Sequence, residues 1–336
     1  MKRRLALLMA LTLATGALVA CGQKEEPAAE TAAPETKVEE TAKEETPTDS
    51  DDSKVFGFTS MDNSNPFFIT IMETIKEKVE ANGDQLVVID GAHDQQKQIN
   101  GIESMISQEI DGIFLNPVES AGIEPALDAL NEANIPIVTY DAGVAATDKV
   151  LTFVGSDNTN AGRVCGEDLV ARVPEGGKIL VITHATADSV IKRLEGFMAA
   201  IEGKGFEVVG ESDAQGDQGK AMAAATDLLQ ANPDVVAIFG ANDPMAKGAM
   251  AAAESAGLKD VLIYGVDGSP DFKQELVKEG TLMAGTGAQS PMTIGEKAVE
   301  VMYAYLDGEA VDAEYPIDTF LINADNVAEY GTDGWQ

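Results

Sequence analysis

The sequence predicts an α/β protein built as two Rossmann-like lobes, each a parallel sheet flanked by helices. Three observations lead there. From Lys54 onward, short runs rich in β-branched residues alternate with longer amphipathic stretches, the pattern of parallel strands covered by helices on both faces. The alternation passes through five strands and then restarts near Lys178. Roughly 280 residues of such chain also exceed one doubly wound unit of ordinary size.

In the first half, strands are expected at Val55–Phe58, Leu86–Ile89, Gly112–Leu115, Pro136–Tyr140 and Leu151–Val154. Helices are expected between them at Phe67–Ala81, Gln95–Gln108 and Ile123–Ala133; in the first of these, Ile71, Ile75 and Val79 recur at helical spacing. The second half gives strands at Lys178–Thr183, Glu207–Val209, Val235–Phe239, Val261–Val266 and Thr281–Ala284. It gives helices at Ala221–Gln230 and Met245–Ala256.

The start of the chain addresses the compartment. Lys2, Arg3 and Arg4 precede an apolar run, Leu5 to Ala20, which suits a signal-peptide core better than a membrane span of about 20 apolar residues. The run ends in Leu18-Val19-Ala20-Cys21-Gly22, which resembles a bacterial lipobox and predicts a signal peptide over 1–20 with acylation of Cys21. More than one acyl chain there would hold the protein on a membrane surface. Residues 23–53 are Glu-, Ala-, Thr-, Pro- and Lys-rich without an aromatic residue. They predict a disordered acidic tether, because such a segment cannot bury enough apolar surface to offset its ordering entropy.

Composition excludes several classes. A net charge of −34 leaves no basic patch for nucleic acid. With Cys21 acylated, Cys165 has no partner, so a disulfide framework is excluded and Cys165 is expected to pack as a small buried hydrophobe. His93 and His184 are the chain's two histidines, and neither lies near a serine in a nucleophile elbow. Asp90, His93 and Asp94 read as a solvated loop rather than a metal site. Asp157 to Asp168 fails as a calcium loop, since Thr159 and Ala161 occupy liganding places. Gly216 to Lys220 lacks phosphate-loop spacing. No metal, cofactor or catalytic constellation is expected, and the chain does not read as an enzyme.

In open α/β sheets, ligands bind outside the carboxyl ends of the strands. Those ends are crowded here with polar groups: Asn63–Phe68, Asp90–Asp94, Asn116 and Asp141 in the first half, then His184–Asp188, Gly240–Asp243, Asp267–Ser269 and Gly285–Gln289. Carboxylates accept two hydroxyl protons at once, amides donate and accept, and Phe67-Phe68 offers a flat apolar face; together these suit a sugar or polyol. Each has a plainer reading. Asp141 and Asp267 could be turn formers or caps, Asn242 could cap the helix near Pro244 with Asp243 the better candidate, and Phe68 could be core.

Five segments carry a resemblance: Asn65-Pro66-Phe67-Phe68, Ile135 to Asp141, Val154 to Asn158, Asn242 to Ala246 and Gly265 to Pro270. Their sequences, order and spacing resemble type 1 periplasmic sugar-binding proteins of the ribose type, from about Val55 to about Asn323. The resemblance implies two lobes joined by a three-crossing hinge, with the ligand clamped between them. It implies an N-lobe of 54–156 plus 290–318 and a C-lobe of 157–289 plus 319–336. Carried over by position, Asn65, Phe67, Phe68 and Asp141 would line the N-lobe wall, and Asn242, Asp267 and Gln289 would face them. Three positions depart. Ala142 follows Asp141 where ribose-type proteins carry arginine. A second arginine would fall near Ile191, with neither Lys192 nor Arg193 in the contacting register. Gly216 stands where a ring is expected before Asp217.

The resemblance implies a monomeric solute-binding lipoprotein outside the cytoplasm, anchored at the cell surface or in the periplasm. Its partners would be a small sugar or polyol and the permease of an ABC transporter. The alternative output is ligand presentation to a signalling or chemotaxis receptor, for a ligand such as a furanosyl autoinducer.

Overall fold

The computed structural model describes residues 53–336. The predicted signal peptide, Cys21 and the tether to residue 52 lie outside the described residues. The folded body begins at the tether's expected last residue: Ser53 Oγ donates to Gly83 O at 3.0 Å, and Lys54 N to Asp84 Oδ1 at 2.7 Å. Among the described residues, no helix is long and apolar enough to cross a membrane.

The body is two six-stranded sheets flanked by helices. The first sheet takes β1 (Val55–Ser60), β2 (Gln85–Asp90), β3 (Gly112–Leu115), β4 (Ile137–Tyr140) and β5 (Thr152–Ser156). Helices α1 (Pro66–Ala81), α2 (Gln95–Ile106) and α3 (Glu124–Glu132) lie between them. After α4 (Asn158–Arg172), the second sheet takes β6 (Gly177–Thr183), β7 (Phe206–Asp213), β8 (Ala237–Gly240), β9 (Leu262–Asp267) and β10 (Met283–Ala288). Its helices are α5 (Asp188–Ile201), α6 (Gln218–Ala231), α7 (Asp243–Ser255) and α8 (Pro270–Leu276). Helix α9 (Pro291–Leu306) leads back to β11 (Glu314–Ile317) on the first sheet; β12 (Phe320–Asn323) and α10 (Val327–Tyr330) return to the second.

The strand orders are β11-β5-β4-β3-β1-β2 and β12-β10-β9-β8-β6-β7. Pairing is parallel except at β12, which runs antiparallel to β10. Each order reverses once, between β1 and β3 and between β6 and β8, and such switch points open a crevice at the strand ends. The chain passes from sheet to sheet after Ser156, Ala288 and Ile317.

Local chemistry explains why the elements start where they do. Six helices open on a side-chain cap: Asn65, Asp94, Asp157, Asp217, Asn242 and Ser269 each accept a backbone N–H of the first turn, worth about 1 kcal/mol apiece. Asn242, not Asp243, caps α7, with Met245 N donating to its Oδ1 at 2.8 Å. The expected strand at Thr281–Ala284 instead runs over Met283–Ala288, so only Gln289 emerges at its end. Gly285 and Gly287 obscure it in the sequence, yet the fold needs them: a Cβ at Gly287 would sit 2.4 Å from Ala161 O of α4. Helix α4 carries no clear apolar period because it packs on α5 through small residues. A Cβ on Gly162 or Gly196 would stand 1.8 or 1.9 Å from the facing helix's backbone oxygen.

Candidate functional site

Six of the seven residues singled out by sequence line one chamber between the sheets: Asn65, Phe67, Phe68 and Asp141 from one side, Asn242 and Asp267 from the other. Gln289 stands behind that wall, its Nε2 donating to Asp267 Oδ1 at 2.8 Å. With the lobes drawn together to this degree the space is about 30 Å³, room for roughly one water.

The centre of the chamber is a residue the sequence register misplaces. Arg193 is 3% exposed and lies between the two aspartates, with Nη2 3.6 Å from Asp141 Oδ1 and Nη1 3.5 Å from Asp267 Oδ1. Its Nε donates to Asn158 Oδ1 at 2.7 Å and Nη1 to Ala241 O at 3.0 Å. Lys192 points away and pairs with Asp188 at 2.8 Å. The signal was in the helix period. Arg193 falls on the stripe of Ser189, Val190, Gly196, Phe197 and Ile201, all buried, so the inward face of α5 carries it.

The two aspartates sit at corresponding strand ends, Asp141 after β4 and Asp267 closing β9. Both have positive φ, 60° and 146°, conformations that cost a non-glycine residue about 1–3 kcal/mol and collect at functional sites. Asn116, fully buried, donates to Asp141 Oδ2 at 3.2 Å and accepts from Met61 N at 3.1 Å. Asp141 Oδ1 is buried with no hydrogen-bond donor among the described residues, since 3.6 Å is too long for one. Burial drives the Asp141 carboxyl up to about 6 despite Arg193 and Asn116. Asp267 is also raised by burial, with Asp243 and Asp141 adding to the rise.

Both asparagines have a committed oxygen. Asn65 Oδ1 accepts from Phe67 N at 3.0 Å and Asn242 Oδ1 from Met245 N, while Asn242 Nδ2 donates to Gly216 O at 3.2 Å, so one lone pair of each oxygen is engaged and each NH2 keeps a hydrogen to offer. Asp243 is a buried anchor: its carboxylate accepts from Thr286 Oγ1 and Ser269 N, both at 2.7 Å.

Both histidines reach the chamber, one from each lobe, which corrects the reading of His93 as part of a solvated loop. Positive φ at Ala92 and His93, 51° and 56°, turns that loop inward. His93 Nε2 lies 3.3 Å from Asp62 Oδ2. Burial alone would raise the Asp62 carboxyl, but hydrogen bonds from His93 and Ser64 outweigh it and hold it at about 2. His184 is pulled down by burial. Cys165 is fully buried and its thiol is pushed up by that burial, so it packs as the sequence suggests. Ala142 is fully buried and offers no donor where an arginine was expected. Gly216 lines the chamber with φ +74°.

The periplasmic binding protein domain, as a family profile, matches residues 56–310. The chain belongs to the periplasmic binding protein family. It is 34% identical over 260 residues to the ribose import binding protein RbsB of Salmonella typhimurium, covering 77% of this chain and 87% of that one. Among solved structures it resembles an ABC transporter solute-binding protein of Mycobacterium smegmatis with bound glycerol, at 30% identity and TM-score 0.80, covering 84% of this chain and all of that one. It also resembles a Bacillus halodurans solute-binding protein with bound myo-inositol, at 27% identity and TM-score 0.77, covering 84% and 99%. These relatives are binding proteins, not enzymes, and periplasmic binding proteins work outside the cytoplasm. In this member the two α/β lobes fit that family.

Proposed function

We propose that the protein is a solute-binding lipoprotein that captures a sugar or polyol between its lobes and delivers it to the permease of an ABC transporter. One observation carries the reading: a buried row of carboxylate, guanidinium and carboxylate, Asp141–Arg193–Asp267, spans the two lobes. Among the described residues Asp141 Oδ1 lacks a donor, and Arg193 Nη2 stands 3.6 Å from it, beyond hydrogen-bond range. A hydroxyl both donates and accepts, so ring hydroxyls satisfy both ends at once. Phe67 and Phe68 supply the apolar face for the ring's C–H bonds. The ribose, glycerol and myo-inositol named for the relatives support this ligand class.

The moving bodies are residues 54–156 plus 290–318 and residues 157–289 plus 319–336, turning about the three passages between the sheets. Ligand is admitted when they part and selects the closed form because only closure completes its hydrogen bonds. Ala142 and Gly216 in place of an arginine and a ring argue against D-ribose itself and for a larger sugar, a polyol or a modified pentose. Acylated Cys21 anchors the monomer to the membrane, and residues 22–52 give it reach.

The test is thermal unfolding of the full-length protein against pentoses, hexoses, polyols and nucleosides. A ligand at about 100 times its Kd adds roughly 2.7 kcal/mol. Asp267→Ala should abolish that gain while unfolding cooperatively on its own; an undiminished shift in the variant refutes the site.

A further inference from the structure

Beside the chamber lies a second cavity of about 340 Å³, within the range of small-molecule sites where the chamber is below it. The two share Asp62, Asn65, Gly216 and Asp267 as walls, so they adjoin where Gly216 leaves out a side chain. Among its lining residues is Trp335, the chain's one tryptophan. Its ring meets Phe67 edge to face, with centroids 5.6 Å apart at 73°. Phe67 itself lines the chamber, so an aromatic surface continues from one cavity into the other.

Trp335 is held there by its neighbours. Lys273, fully buried, donates from Nζ to Gly334 O at 2.6 Å and to Gln336 Oε1 at 3.2 Å. Gln336 Nε2 donates to Asp267 O at 3.2 Å and also to Gln289 O. Gly268 makes room, since a Cβ there would stand 2.4 Å from Gln336 Nε2. Gln274 Nε2 donates to Thr332 O at 3.3 Å. The 332–336 segment is thereby tied to α8 and to the backbone of the binding aspartate.

The structure assigns Trp335 as the wall of a second sugar subsite, and we propose that the preferred ligand is a glycoside or disaccharide. With the lobes parted further than in this structure, where the chamber holds about one water, its first ring occupies the chamber and its second lies against the indole through the gap at Gly216. This rests on the sugar-binding reading and deepens it. The charge of the second cavity narrows the substituent: Asp62, Asp217, Asp267 and Asp271 face it against Lys247, which excludes a phosphate and suits a neutral, hydroxyl-bearing ring. Rings stack on indole at reduced ordering cost where the chain on either side of it is already tied down, as at Thr332, Gly334 and Gln336.

The full-length protein supplies its own probe in the fluorescence of Trp335. Monosaccharides and their methyl glycosides and disaccharides are titrated in parallel, with calorimetry for the variants. The extended ligands should bind more tightly than the parent sugars and shift the emission. Trp335→Ala should weaken them about threefold to tenfold more than it weakens the parent sugars, which feel the change only through Phe67, and Trp335→Phe should recover most of the loss. Equal weakening of both classes, or parent sugars binding more tightly than every extension, overturns the subsite and leaves the sugar reading standing. Failure of every sugar in both classes overturns the sugar reading and this inference with it.

Discussion

Asp141 and Asp267 hold corresponding positions in the two lobes, yet they are wired differently. Asp267 has both oxygens engaged, Oδ1 by Gln289 Nε2 at 2.8 Å and Oδ2 by Asp243 N at 3.3 Å, with Arg193 beside it. Asp141 has Oδ2 held by Asn116 and Oδ1 held by no donor among the described residues. The C-lobe half of the site is therefore built before ligand arrives, and the N-lobe half is left one bond short. A site arranged this way is preorganised on one side and completed by ligand on the other, which gives closure its driving force.

Removing the shared cation should have the largest effect. Arg193→Met leaves two buried carboxylates without their counter-charge, and urea unfolding at neutral pH should show a loss of about 3–5 kcal/mol. A loss under about 1 kcal/mol, the size expected of an exposed pair, would mean that the row is not a working unit.

Asp141→Asn should act in the opposite direction on stability. The folded carboxyl titrates at about 6, above its unfolded value of about 3.9. The native state thus keeps a proton that the unfolded state releases, and stability falls as pH rises from about 4 to about 6. Above that window the penalty is complete, up to about 3 kcal/mol. The unliganded Asn variant should be more stable at pH 7 by about 1–3 kcal/mol and less dependent on pH across this window, while binding ligand more weakly. Lower stability with an unchanged pH profile would contradict the wiring described for the N-lobe.

The smallest effect falls on the residue behind the wall. Gln289→Ala removes one hydrogen bond to Asp267, worth about 1–2 kcal/mol, and should raise Kd by about tenfold with the same order of preference among ligands. A changed preference would place Gln289 in contact with ligand rather than behind Asp267.

Much of this was legible from the sequence. The strands gave themselves away through short β-branched runs, and the aspartates and phenylalanines through their position at strand ends. Arg193 was hidden because its neighbours Lys192 and Glu195 make the segment look like a solvated face, whereas its helical spacing to Val190 and Phe197 points inward. Helix α4 was obscured by the small residues through which it meets α5. Trp335 was out of reach for a different reason: no local pattern links it to Gly216, and only Lys273 and Gln336, acting through contacts about 60 residues apart in sequence, bring it to the cleft.

The meeting of α4 and α5 has a consequence for how such a protein changes over generations. Gly162 and Gly196 set backbone against backbone beneath Arg193, so the helix contact that carries it contains no side chain at those two points that can be exchanged for a slightly larger or smaller one. Almost any substitution at those two glycines forces the helices apart and moves the charge. Selection for a new diet then has little purchase on the centre of the site and free play at its margin, where Gly216 and Trp335 stand. Descendants of this chain would be expected to keep the charged row and to differ in what surrounds it.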